Sequence, residues 1–237
     1  MKIYTGTSGY GYKEWKGGFY PEKLAASKML SYYSARLETV EINNTYYRMP
    51  TLPVVKAWAL QVPGGFVFAI KAPQIITHIK RLENVAGETR FFLSSVSALN
   101  NKLGCVLFQF PASFRDDQRK LKDFLRLIPA KIPCAFDFRS ATWMNSGTFT
   151  MLKKRNFCIC MEDTEEKPIK KITSTADWGY FRLRREDYTK AAVKLWAKKI
   201  RAQKWRKAFV FFKHEEEDAS KASKAPELAL LFMGLVP

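Results

Sequence analysis

Ionisable and amide side chains stand at the ends of short apolar runs throughout this chain, and what they could do together is the first question. Glu41 and Asn43 alternate with apolar residues in Val40-Glu41-Ile42-Asn43, Lys71 closes Phe68-Ala69-Ile70-Lys71, Gln109 sits in Leu107-Phe108-Gln109-Phe110, and Phe136-Asp137-Phe138-Arg139 alternates charge with ring. Glu162 follows Cys158 and Cys160 at two-residue spacing, Arg182 and Arg184 follow Tyr180, and Lys213 follows Phe209 and Phe211. Residues two apart share one face of a strand, so each run gathers its polar groups on one face toward its C-terminal end. An unpaired ion buried in such a run costs about several kcal/mol. These side chains are therefore expected to line a common cavity, with a self-satisfied network pairing Glu41 and Asp137 with Arg139 and Arg182 as the alternative.

Within such a cavity Glu41 and Asp137 suit a general base and acid, and His78 suits a proton shuttle near neutral pH. Asn43, Lys71, Gln109, Arg139, Arg182 and Lys213, with Arg184, offer forked and point-charge donors that match phosphate or carboxylate oxygens. Tyr10, Trp15, Tyr46 and Trp143, with Tyr12 and Tyr47, fall after the first, second and fifth runs, where rings either stack on a base or sugar or cap the mouth. The chain has 2 histidines, His78 and His214, which excludes a multi-histidine metal cluster. No cofactor is expected; the metal alternative is Mg²⁺ held by Glu41, Asp137 and Glu162. Cys158-x-Cys160 lacks a second pair and reads as packing rather than zinc. Gly6, Gly9 and Gly11 do not form the dinucleotide fingerprint and serve either a tight turn or a close anion approach.

Eight strand-like runs must position these groups: 2–7, 39–43, 66–71, 105–110, 134–139, 157–161, 179–183 and 208–213. Helix-period stripes lie between them, such as Leu121, Phe124, Leu125 and Ile128, or Phe92, Val96, Leu99 and Leu103. Strands alternating with helices predict parallel pairing through crossovers, and eight such units in 237 residues predict a single α/β domain, a (β/α)8 TIM-like barrel over 1–237. The sixth crossover, 165–177, is the weakest, because Pro168 and the β-branched pair Ile172-Thr173 leave room for a turn or two at most. The polar run 213–224 is expected to be a mobile loop near the pocket.

Composition narrows the partners. Lys and Arg number 40 against 22 Asp and Glu, a formal charge of +18, which keeps nucleic acid in view as a partner beside an anionic small molecule. Much of the excess lies in 190–207, where cations surround a stripe of Ala191, Leu195, Trp196 and Ile200 in the manner of an amphipathic helix with a wet basic face. No apolar run approaches a membrane span, no secretory leader is expected ahead of the first strand, and four cysteines sit in apolar runs. A cytoplasmic protein with buried thiols is expected; oligomeric state is not legible.

Several motifs together resemble one family. Gly6-Thr7-Ser8-Gly9-Tyr10, Trp15-Lys16-Gly17, Phe19-Tyr20-Pro21 and Val40-Glu41-Ile42-Asn43-Asn44-Thr45-Tyr46-Tyr47-Arg48 are similar to the motifs of the YecE-like family, domain of unknown function 72. So, in order, are Phe68-Ala69-Ile70-Lys71 with Thr77-His78, Leu107-Phe108-Gln109-Phe110-Pro111 with Ser113-Phe114, Phe136-Asp137-Phe138-Arg139 with Trp143, and Tyr180-Phe181-Arg182-Leu183. The resemblance covers nearly the whole chain and implies a TIM-barrel-like fold with no established activity. Where many relatives carry Arg-Leu-His-Gly and an Asn-rich Asp motif, this chain has Arg182-Leu183-Arg184-Arg185 and Lys213-His214-Glu215, so roles of those groups do not transfer. Three functions follow as expectations: a metal-independent enzyme, a hydrolase or lyase in class, using acid–base chemistry on a phosphorylated or anionic ligand; a nucleic-acid-binding or nucleic-acid-processing protein; and a non-catalytic binding protein.

Overall fold

The computed structural model describes residues 1–186, 188–213 and 224–236; His214 and most of the 213–224 run lie outside the described residues. Eight parallel strands close in sequence order: β1 (Lys2–Ser8), β2 (Thr39–Ile42), β3 (Val67–Lys71), β4 (Leu103–Phe110), β5 (Cys134–Phe138), β6 (Cys158–Asp163), β7 (Trp178–Leu183) and β8 (Lys207–Lys213). β8 returns to β1 from Lys2↔Lys207 to Ser8↔Lys213, which leaves the barrel without an edge. The expected (β/α)8 barrel is therefore present.

Helices α1 (Met29–Ser34), α2 (Leu52–Leu60), α3 (Ala86–Ser97), α4 (Gln118–Leu127), α5 (Ser146–Lys154), α6 (Lys190–Arg201) and α7 (Ala225–Leu235) cover the outside. α4 begins where the Asp117 carboxylate accepts the Lys120 N–H, a cap worth about 1 kcal/mol. It buries Leu121, Phe124 and Leu125, with Phe124 edge-on to Phe108 of β4 at 5.0 Å. α6 is the expected basic amphipathic helix, but its buried stripe is Val193, Trp196, Ala197 and Ile200. Leu195 is half exposed and Ala191 is exposed, because the helix starts at Lys190 behind its Thr189 cap and turns a different face inward. No helix joins β6 to β7 among the described residues: Thr175 Oγ1 accepts the Ile159 N–H and donates to Phe157 O, so this crossover lies directly along β6.

The core has two shells. Between sheet and helices lie residues such as Phe68, Phe108, Phe136 and Phe181. Inside the barrel lie Val67, Ala69, Cys105, Leu107, Ala135, Cys158, Cys160, Trp178, Tyr180, Phe209 and Phe211, the face that period-2 alternation assigns. Rings plug the N-terminal end, where Trp178 stands edge-on to Phe209 at 5.9 Å and Tyr4 stacks on it at 5.1 Å. That leaves the polar ends of the strands to fill the other end. All four cysteines are buried free thiols. Among the described residues no helix is long and apolar enough to cross a membrane.

Candidate active site

Glu41 founds the polar tier above the barrel's apolar layers. It is fully buried. Its Oε1 accepts hydrogen bonds from Ser8 Oγ (2.8 Å), Asn43 Nδ2 (3.0 Å) and Arg182 Nη2 (3.1 Å), and its Oε2 accepts one from Tyr180 OH (2.6 Å). Burial alone would raise this carboxyl, but the Arg182 guanidinium and the bonds from Tyr180, Asn43 and Ser8 outweigh it and hold it at about 2. Four donors saturate a carboxylate. This corrects the expectation of Glu41 as a general base: it positions Arg182 and is out of reach of a substrate.

Arg182, its side chain 5% exposed, also reaches Asp137 Oδ2 (3.3 Å) and Glu162 Oε1 (3.1 Å) through Nη1. Burial works against its charge, and the carboxylates of Glu41, Glu162 and Asp137 overcome that and push it well above the ordinary guanidinium value. Arg182 is thus committed to the protein, not open to an anion as the sequence suggested. The carboxylates considered for Mg²⁺ converge on this guanidinium, which fills the position a cation would take. Arg139 does not join the network: it is exposed, with no ion pair among the described residues.

Asp137 lies one tier further out, in register with Gln109, whose Nε2 donates to Oδ2 at 2.6 Å. Burial and the Glu162 carboxylate push its carboxyl up against the opposing pull of Arg182, Gln109 and Arg139. Burial also opposes the charge on Glu162, but Arg182 and Arg184 hold it down, Arg184 through a short ion pair. One carboxyl is pushed up beside another held down, the kind of separation that acid–base catalysis uses.

Access comes from a split in the sheet. β5 and β6 pair only at Ala135↔Cys158 and Phe136↔Ile159, after which β5 stays with β4 through Arg139 N–H to Phe110 O and β6 stays with β7 through Arg184 N–H to Asp163 O. A cavity of about 490 Å³ opens there, lined by Asp137, Arg139, Glu162, Lys167, Lys170, Lys171 and Arg184. Its size suits a small metabolite. A larger cavity of about 630 Å³ lies at the opposite end near Met1, Arg36, Glu38 and Phe66. The inward polar side chains do not reach it, and barrel chemistry belongs to the C-terminal ends of the strands.

Across the mouth, Lys71 ends β3 half-buried, its Nζ 4.2 Å from the Tyr46 ring centroid. Burial and Arg182 lower its ammonium to about 8, only partly offset by Glu41 and Asp137. The His78 ring stands edge-on to Tyr46 at 4.9 Å, and Nδ1 shares a 2.8 Å hydrogen bond with Thr77 Oγ1. Burial, Lys71, Arg139 and Arg81 depress His78 to about 4. It is therefore neutral at pH 7 and does not titrate there, which corrects the expected neutral-pH shuttle to that of a fixed neutral imidazole. His78 lies in a π-helical turn, Ile75–Ile79, and Arg81, Leu82 and Asn84 beyond it have φ of 47°, 67° and 50°. Such turns and left-handed non-glycine residues gather at functional sites.

The rim aromatics divide. Trp15 is 2% exposed, packed by Tyr12, Phe19 and Tyr20, and Trp143 is fully buried, stacked on Phe138 with Nε1 donating to Phe114 O at 2.7 Å. Both are core residues rather than stacking platforms, because the loops after β1 and β5 fold back so that Trp15 packs within its own loop and Trp143 against Phe110, Phe114 and Phe138. Tyr10 is half-buried against Tyr33. Tyr46 and Tyr47 stay at the mouth, Tyr47 with 78% of its surface exposed. Lys213 ends β8 beside Ser8. The glycines serve the backbone: Gly9 turns at φ 90° with its N–H on Glu41 O, and a Cβ on Gly6 would lie 1.9 Å from Thr39 O.

Ser8, Tyr180, Lys167, Lys170 and Lys171 belong to the site and escaped the sequence reading. Tyr180 was visible on the inward face of β7, but nothing local marks its hydroxyl as a Glu41 donor. The lysines follow from a crossover too short for a helix, which lays its charges over the β5–β6 split.

A closed eight-stranded parallel barrel with an ion cluster at its C-terminal mouth defines a TIM-type (β/α)8 protein. The chain belongs to the family described as protein of unknown function DUF72, whose pattern matches residues 4–235. It is 33% identical to UPF0759 protein YunF of Bacillus subtilis over 152 residues, 60% of this chain and 52% of that protein. It is 29% identical to UPF0759 protein YecE of Escherichia coli K12 over 119 residues, 50% of this chain and 44% of that protein. The aligned part thus spans about half the length of these curated relatives. Among solved structures, a DUF72 family protein from Thermotoga maritima MSB8 superposes with a TM-score of 0.80 at 24% identity, covering 100% of this chain and 99% of that one. Another from Enterococcus faecalis V583 gives 0.76 at 20% identity, covering 99% and 97%. These likenesses show the fold.

Proposed function

We propose that this protein is a metal-independent enzyme performing acid–base chemistry on a phosphorylated or otherwise anionic small molecule at the C-terminal mouth of the barrel. The observation that carries the reading is Asp137, a buried carboxyl pushed up by burial and Glu162, on the wall of a cavity that also holds Arg139, Lys167, Lys170, Lys171 and Arg184. Asp137 is the acid, Glu162 the adjacent ionised carboxylate, and the cations hold the anion. Glu41 and Tyr180 brace Arg182, which keeps the two carboxyls distinct. The Arg182 guanidinium at the centre of the carboxylates supports chemistry without a metal. Four buried free thiols support a reducing, cytoplasmic setting.

Thermal denaturation with phosphorylated and carboxylated metabolites tests this. A ligand at about 100 times its Kd should add about 2.7 kcal/mol, raising Tm by roughly 5–10 °C for a chain of this size. Arg139→Ala should abolish the shift while leaving the unliganded Tm within about 2 °C, since Arg139 is exposed and has no ion pair among the described residues. If no anion moves Tm, or Arg139→Ala keeps the full shift, the reading fails.

A second reading, binding of single-stranded nucleic acid, is favoured by the 78% exposed ring of Tyr47 at the same mouth, among the exposed side chains of Arg48, Arg81 and Arg139.

A further inference from the structure

The group at the mouth that acid–base chemistry leaves unused is Lys71. It is the last residue of β3, half-buried, and held against the Tyr46 ring at 4.2 Å. Among the described residues no carboxylate lies within ion-pair distance of Nζ and no oxygen accepts a hydrogen bond from it; its backbone carbonyl accepts from Thr45 Oγ1 at 2.6 Å. A lysine placed so is not spending its charge on stability. Around it stand the aromatic face of Tyr46, the neutral imidazole of His78, the exposed cation Arg139, and the inner cluster of Arg182, Glu41 and Asp137. Arg139 acts electrostatically on Lys71 and His78 and also lines the β5–β6 cavity, so the lysine and the anion pocket share one mouth.

We propose that Lys71 is an amine nucleophile that forms a Schiff base with the carbonyl of an anionic aldehyde or ketone whose charged end lies in the β5–β6 cavity. This names the substrate class for the anion-site reading and rests on it. The neutral amine attacks the carbonyl carbon, forming the C–N bond as the C=O π pair moves to oxygen. The carbinolamine then loses its oxygen, with two protons, as water, leaving the imine; hydrolysis reverses each step. Protonating the departing oxygen calls for an acid, and Asp137 is the buried carboxyl, pushed up by burial and Glu162, that acts electrostatically on Lys71. The Tyr46 ring and partial burial keep the amine poorly solvated, the condition that activates lysine nucleophiles. With its ammonium lowered to about 8, roughly a quarter of Lys71 is the free amine at pH 7.5, against about one part in a thousand for an ordinary lysine.

The test is borohydride trapping on the intact chain at pH 7.5 with glycolaldehyde phosphate, with uncharged glycolaldehyde as control, followed by peptide mapping. Lys71 should carry the reduced adduct at least about tenfold above the mean of the other lysines, a floor set well below the advantage in free amine. Inorganic phosphate should suppress the phosphorylated probe at Lys71. Uniform labelling of the lysines overturns the proposal, as does an unchanged total adduct in a folded Lys71→Met variant. If phosphate stabilises the protein but Lys71 is not selected, the Schiff base falls and the anion site stands. If both aldehydes label Lys71 equally and phosphate does not compete, the nucleophile stands and the anion site falls.

Discussion

At the scale of single residues, the mouth places two buried carboxyls under opposite pressure. Glu41 goes from an ordinary 4.5 to about 2 because Arg182 and three other donors outweigh burial. Its depressed value means that it contributes stability fully above pH 4.5 and loses it as pH falls toward 2. At about 1.4 kcal/mol per pH unit the contribution is on the order of 3 kcal/mol. Glu41→Gln should therefore destabilise the protein by about that amount at pH 7, measured by urea unfolding, with the gap to wild type narrowing below pH 4.5. A gap that stays flat from pH 6 to pH 3 would show that Glu41 is not the ionised anchor. Asp137 has the reverse sign. Its raised value gives a contribution present at low pH and lost as pH rises through the folded value. Asp137→Asn, which mimics the protonated acid, should be at least as stable as wild type at pH 8 while losing any turnover; a marked drop in Tm would place a carboxylate there instead.

At the scale of elements, the strands were legible and their partners were not. Period-2 alternation located all eight strands and put Ala135, Cys158, Cys160, Phe209 and Phe211 inside the barrel, because a one-residue slip would have turned the whole apolar set outward. The same pattern showed which charges had to be buried, but Arg182 meets Glu41 across 141 residues of chain, and no local rule selects it over Arg139. Trp15 and Trp143 misled for a related reason: an aromatic in a loop is exposed or buried according to how the loop folds back, which is tertiary information. Gly6 and Gly11 separate local from long-range causes in one short segment. A Cβ at Gly6 would meet the Thr39 backbone oxygen of β2 at 1.9 Å, whereas one at Gly11 meets nothing within 4 Å. Backbone cannot move aside as a side chain can, so Gly6→Ala should cost about 3 kcal/mol or more. Gly11→Ala should stay within about 0.5 kcal/mol, both read by chemical denaturation. Equal effects would show that the run is a flexible anion loop rather than a seam between β1 and β2.

At the scale of the whole molecule, a formal charge of +18 attracts any polyanion, so nucleic-acid binding by itself says little about the site. Part of that charge lies on the exposed lysines of α6, and part at the mouth on Arg48, Arg81, Arg139, Lys167, Lys170 and Lys171, all exposed. Salt reads the charge and one ring reads the place. A single strand that contacts the six mouth cations should show a log–log salt slope near about −4, losing roughly 300-fold in affinity between 50 and 200 mM salt. A field from α6 alone would give a comparable slope, because counterion release does not depend on where the cations sit. Stacking does depend on it. Tyr47, 78% exposed, is the ring with most to offer a base, and losing it should weaken binding by about 1–3 kcal/mol, roughly 5- to 150-fold, at every salt concentration if strands lie across the mouth. Fluorescence anisotropy of a labelled oligothymidylate with wild type and Tyr47→Ala, across that salt range, decides. Parallel lines separated by that factor assign the mouth to nucleic acid, and superimposed lines leave the affinity to the outer surface and the mouth to a small anion.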